Sequence, residues 1–163
     1  MRIILNGQQA FGADVLKALV EHGEDVVAVY CAPDRPGRGA DPLKEAALER
    51  GLPVAQPESF KDADTARGIE RLDADLMVMA FVTLLVPSEV LAIPRRGSIQ
   101  YHPSVLPAHR GPSAINWAIL HGDATTGVSI FWPDDDLDTG PVLLTREVAI
   151  EPDDTMGLSL IHI

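Results

Sequence analysis

The sequence is short of cysteine, of aromatic residues and of positive charge, and it has no long apolar run. Cys31 is its only cysteine, which excludes an intramolecular disulfide and fits a reducing compartment. No window comes near the roughly 18 consecutive apolar residues of a membrane span. The opening MRIILNG is too short an apolar run for a signal peptide, and it leads straight into strand-like sequence. The expectation is a cytoplasmic protein without a membrane partner. Lys and Arg number 13 against 24 Asp and Glu, for a net charge of -11. That disfavours a nucleic-acid groove in this piece, because phosphate contacts need clustered cations. From Gly122 onward, Asp123, Asp134, Asp135, Asp136, Asp138, Glu147, Glu151, Asp153 and Asp154 face only Arg146. The imbalance reads as an exposed acidic face or a site with its own carboxylate chemistry.

Several cofactor and nucleophile signatures are missing too. The first turn, GQQAFG (Gly7 to Gly12), lacks the G-x-G-x-x-G spacing that brings a backbone against a pyrophosphate. No G-K-[ST] occurs, so neither NAD nor ATP is expected. G-x-S-x-G is absent, which removes a serine nucleophile elbow. His102, His109 and His121 lack a ligand spacing with Cys or carboxylates, and no metal is expected. Asp134, Asp135 and Asp136 read as an acidic surface turn more readily than as a calcium loop.

What is present is an alternation of strands and helices. At 163 residues, 46% apolar and 23% charged, the chain is long enough for one domain with a real core. Apolar runs at 2–6, 26–31 and 76–81 read as buried strands, with 53–55 as a short edge strand. Helical spacing covers 11–21, 43–50 and 62–72, with Gly23 and Gly51 as stops. This pattern predicts an α/β fold with a doubly wound, mostly parallel, Rossmann-like sheet. Further on, 98–101, 127–132 and 142–150 read as strands and 113–121 as a helix.

The loop after residue 101 concentrates the chemistry. Trp117 and Trp132 read as core or pocket-wall residues. His102 follows a strand, where open α/β sheets place ligands. A lone histidine there is more often a satisfied loop residue than a reagent. Its company shifts that balance: Pro103 and Pro107 stiffen the loop, and Gly111 permits close backbone approach. Asp138, in the turn LDTG, could hold the imidazole tautomer and favour its protonated form. Such a pair can polarise a carbonyl, stabilise an oxyanion and move a proton. Arg110 meets either a ligand carboxylate or a neighbouring acid.

Together, GQQAFG, ADPL (Ala40 to Leu43), GSIQYHPSVLP, HRGPSAINW, LHGD, SIFWPDDDLDTG and the late DDT resemble the folate-dependent formyltransferase family, over nearly all of residues 1–155. Within it the likeness is greatest to the N-terminal hydrolase domain of 10-formyltetrahydrofolate dehydrogenase, with methionyl-tRNA formyltransferase next. The resemblance implies His102 and Asp138 as the catalytic pair and 10-formyltetrahydrofolate as formyl donor. It also implies a folate pocket built from Phe81, Leu85, Val86 and Pro87 and from the turn carrying Asp134 and Asp136. Many members place an asparagine two residues before the histidine as an oxyanion donor; here that position is Gln100.

The acceptor stays open among water, a small molecule, a carrier and initiator tRNA. The loop DRPGRGADPLK offers only Arg35, Arg38 and Lys44 as cations, which weighs against tRNA. A non-catalytic folate-binding domain is the alternative from another class. Residues 1–155 are expected to be the N-terminal catalytic domain, truncated at its C-terminus with a further domain missing. Residues 156–163, ending in LSLIHI, are expected to be non-native sequence.

Overall fold

The computed structural model describes residues 1–37, 39–155 and 157; the doubtful tail lies outside them except for Gly157. The chain divides into two compact units, Met1–Ile99 and Gln100–Ile163.

The first unit is built on β1 (Arg2–Gly7), whose residues from Ile3 onward are all buried. β1 pairs in parallel with β2 (Asp25–Tyr30) on one side and β4 (Leu76–Ala80) on the other. The two-residue β3 (Val54–Ala55) adds to β2, also in parallel. Successive side chains of a strand point to opposite faces, and both faces of this sheet are covered. On one face Leu5, Val29 and Ala80 pack with Leu16 of α1 (Gln9–Glu21) and with Leu43 and Ala47 of α2 (Pro42–Glu49). On the other, Ile4, Ala28, Met77 and Met79 pack with Ile69 of α3 (Ala63–Arg71) and with Val90 and Leu91 of α4 (Ser88–Leu91). Each fully buried aliphatic side chain contributes about 1.5–3 kcal/mol. Asp41 ties the helix starts together: its carboxylate accepts from the backbone N–H of Leu43 in α2 and of Gln9 in α1.

In the second unit the strands run antiparallel. β5 (Ser98–His102) begins before the division and ends in this unit; His102 lies opposite Ser129 of β6 (Thr125–Phe131). β6 then pairs with β7 (Val142–Ala149). Between β5 and β6 lies α5 (Ala114–His121), whose Ala114, Ile115 and Ala118 are buried. Trp117, expected as a core or pocket-wall residue, is 48% exposed on α5, because it lies round the helix from the buried stripe of Ala114, Ile115 and Ala118. Among the described residues no helix is long and apolar enough to cross a membrane. The α/β, doubly wound, mostly parallel fold read from the sequence is the fold observed.

Candidate active site

The loop between β5 and α5 is fixed by hydroxyl groups before any charge is considered. Ser129 is fully buried on β6; its Oγ accepts from Leu106 N–H at 3.0 Å and donates to the Ser104 carbonyl at 2.8 Å. Ser104 Oγ donates in turn to the Ala108 carbonyl at 2.6 Å. These bonds satisfy groups that would otherwise be buried at a cost of about 1–3 kcal/mol each.

His102 ends β5 within this frame, only 5% exposed, and Asp138 from the β6–β7 turn is 7% exposed. His102 Nδ1 lies 3.3 Å from Asp138 Oδ2. His102 Nε2 lies 2.8 Å from the His109 carbonyl oxygen. A backbone carbonyl only accepts, so Nε2 carries the proton. Nδ1 therefore faces the carboxylate, and an imidazolium–carboxylate pair satisfies both contacts at once. Asp138 Oδ2 also accepts from Gly111 N–H at 2.7 Å. Gly111 has φ +82°, a left-handed conformation open to glycine at little cost. His109, Ser113 and Asp138 also have positive φ, at 50°, 63° and 52°. Non-glycine residues held there cost on the order of 1–3 kcal/mol each and gather at functional sites.

The remaining expected residues fall as follows. Gln100 is two residues before His102 on β5, opposite Phe131 of β6, so its amide and the imidazole share a face. Tyr101, on the other face, has its phenol pushed up to about 12 by burial. In the second unit Asp134 and Asp136 are exposed. Asp134 Oδ1 accepts from Thr139 Oγ1 at 2.6 Å and from Asp136 N–H at 3.3 Å, so this carboxylate shapes the turn that carries Asp138. In the first unit Phe81 is half-exposed with φ +61°, an outlier for a bulky side chain. Leu85 is 69% exposed, whereas Val86 is buried in the core cluster with Val90. Pro87 precedes α4 as its N-cap. Asp138 is not part of an exposed acidic face, since it is buried.

The sequence reading passed over Asn6. It is 3% exposed at the carboxyl end of β1, its Nδ2 is buried without a hydrogen-bond partner, and it lines a small open cleft with Cys31, Phe60, Phe81 and Thr83. The signal was a lone polar residue closing an apolar strand. An orphaned buried donor costs about 1–3 kcal/mol. Asn6→Leu, close in volume, is therefore expected to raise the urea midpoint by the equivalent of about 1 kcal/mol with an unchanged slope; a lower midpoint would show that the amide is satisfied. Cys31, in the same cleft, has its thiol pushed up to about 11, by burial first and by Asp41 next, so it is an inert thiol near neutrality. Among the described residues no group of three or more His, Cys, Asp or Glu could hold a metal.

An α/β chain of Rossmann type with a buried His–Asp contact at a strand end defines the class. The formyl transferase family model matches residues 1–158, and the chain belongs to that family. It is 44% identical over 162 residues to the cytosolic 10-formyltetrahydrofolate dehydrogenase of Homo sapiens, covering 96% of this chain and 18% of that protein. It is 45% identical over 160 residues to the methionyl-tRNA formyltransferase of Nitrosomonas eutropha, covering 95% of this chain and 51% of that protein. The chain thus spans about a fifth and about half of these two relatives. Among solved structures, phosphoribosylglycinamide formyltransferase from Bacillus halodurans superposes with a TM-score of 0.84 at 24% identity, covering 100% of this chain and 87% of that one. The family expected from HPSVLP and LDTG is the family found.

Proposed function

We propose that this chain catalyses removal of the formyl group from 10-formyltetrahydrofolate, to water or to an amine acceptor, with His102 and Asp138 as the reacting pair. The observation that carries the reading is the buried contact of His102 Nδ1 with Asp138 Oδ2 at 3.3 Å. At that length Nδ1 is only loosely engaged, whereas Nε2 is held at 2.8 Å. Nδ1–H is thus the donor free to turn to a formyl oxygen.

The nucleophile adds to the formyl carbon, and the carbonyl π pair moves onto oxygen. The imidazolium N–H stabilises that oxyanion, and Asp138 accepts the proton the nucleophile gives up. When the tetrahedral adduct collapses, the bond from carbon to N10 breaks and N10 takes that proton, giving tetrahydrofolate. The other product is formate if water attacked, or a formylated amine. Gln100 is a second donor on the face of His102; a well-placed donor of this kind is worth about 3 kcal/mol of transition-state stabilisation. For folate, the reading keeps the apolar contact at Phe81 and Leu85, whose side chains are exposed; Val86 is packed in the core, and the Pro87 carbonyl already accepts from the N–H groups of Val90 and Leu91.

The 44% identity to a 10-formyltetrahydrofolate dehydrogenase supports folate as the donor carrier. The 45% identity to a methionyl-tRNA formyltransferase favours a second reading, with the amine of a charged tRNA as acceptor. Against it stands the stretch DRPGRGADPLK, whose Lys44, in α2, is already ion-paired with Asp34. A reducing cytoplasm suits the lone, buried Cys31.

The test is tetrahydrofolate release from 10-formyltetrahydrofolate by the purified protein, followed by absorbance. Turnover in buffer alone, with stoichiometric formate, is expected. Turnover only with initiator methionyl-tRNA, together with a salt-sensitive gel shift, would establish the second reading. Saturable folate binding without turnover under any acceptor would leave a binding domain and overturn both.

A further inference from the structure

We propose that His109, clamped by Asp123, is a positioning residue that sets which imidazole nitrogen of His102 faces Asp138. One short stretch of chain grips both members of the pair. The His109 carbonyl accepts from His102 Nε2 at 2.8 Å, and two residues on, Gly111 N–H donates to Asp138 Oδ2 at 2.7 Å. Where this stretch sits therefore fixes the ring orientation of one group and the aim of the other.

Ser104 Oγ holds the carbonyl of Ala108 one residue earlier, but the backbone of His109 itself is not intrinsically favoured. His109 is in the left-handed region at φ +50°, which disfavours a side chain on backbone grounds. What opposes the relaxation is its own ring: Nε2 lies 2.5 Å from Asp123 Oδ2, in the turn after α5. The contact is partly sheltered, with side-chain exposures of 14% and 37%, so it is less screened than a surface pair. The His121 ring lies 5.3 Å from the His109 ring, centroid to centroid, and Trp117 stacks beyond it at 5.8 Å from His121. The clamp thus runs Asp123, His109 ring, His109 carbonyl, His102. Asp123 and the His109 ring act through His102 and carry no step of the reaction themselves. If the clamp opens, the carbonyl withdraws, Nε2–H loses its acceptor, and either ring nitrogen of His102 can turn to Asp138.

The kinetic part of this inference rests on the reaction proposed above; the structural part does not. The experiment uses full-length protein with ¹⁵N-labelled histidine, the His102 ring signals being assigned by their loss in His102→Gln. In Asp123→Asn the His102 ring signals are expected to shift and broaden, because the doubly protonated ring no longer holds one orientation. The kcat for formyl release should fall about 10–100-fold with KM for 10-formyltetrahydrofolate within about twofold, the mark of lost alignment. Asp123→Glu should restore part of both. An unchanged His102 spectrum in Asp123→Asn, or a loss expressed in KM alone, overturns the proposal. Should Asp123→Asn fail to fold, the same spectrum is read on His109→Gln, where the carbonyl remains but the pairing is lost; no change there overturns it equally. A wild-type protein without turnover whose His102 spectrum still responds to Asp123→Asn would refute the reaction and leave the clamp standing.

Discussion

His102→Ala is expected to slow tetrahydrofolate release about 10²–10⁴-fold, the range general acid–base groups supply. The loss should fall on kcat, because the imidazole meets the formyl oxygen most strongly once that oxygen is charged. One complication follows from burial. Removing the ring takes from Asp138 its imidazole partner and leaves the Gly111 N–H at 2.7 Å, and a buried carboxylate stripped of its cation destabilises the fold. His102→Asn keeps a polar group and separates the two effects: it should melt closer to wild type while remaining as slow as His102→Ala. Asp138→Asn keeps an oxygen for Gly111 N–H but loses the negative charge that holds an imidazolium, and it should also be slow. A His102→Ala protein within tenfold of the wild-type rate would remove the imidazole from the chemistry.

Much of the first unit was legible because its strands are buried on both faces and read as unbroken apolar runs. The run at 26–31 became β2 (Asp25–Tyr30), and the one at 76–81 became β4 (Leu76–Ala80), shifted by a residue at most. α4, with four residues, was not legible, since one turn has no period to detect. Only Pro87, its N-cap, marked the place.

The pairing of residues 102 and 138 was legible only as an expectation from motif. Its geometry was not, because it depends on φ values of His109, Gly111 and Asp138 that composition does not encode. The Asp123 partner of His109 stayed hidden for a related reason. As one of many acids in the second half it looked like solvated charge, and its contact across 14 residues exists only once Ser104 and Ser129 have closed the loop. Asn6 was overlooked because strand ends tolerate polar residues. Its position between Leu5 and Gly7, all buried, is a matter of packing rather than of pattern.

Gly140→Ala is expected to have the largest effect on stability of any single methyl added to this chain's second unit. A Cβ at residue 140 would lie 1.7 Å from the Trp132 carbonyl oxygen and 2.9 Å from its carbon. Both are backbone atoms, so no side-chain rotation relieves the clash. The turn must open, and with it go the Trp132 N–H to Pro141 carbonyl bond at 2.9 Å and the Thr139 hydroxyl contact to Asp134. Overpacking of this kind costs about 1–3 kcal/mol where the structure can yield, and more where it cannot. The turn also carries Asp138, whose distance to His102 is set by its path. Gly140→Ala should therefore lose formyl release along with thermal stability, even though residue 140 bears no functional group. Gly39→Ala, with nothing within 4 Å of the added carbon, is the matched control and should leave both unchanged. If Gly140→Ala melts with Gly39→Ala and turns over folate as fast, the β6–β7 turn is soft, and a soft turn cannot hold a carboxylate in place against an imidazole.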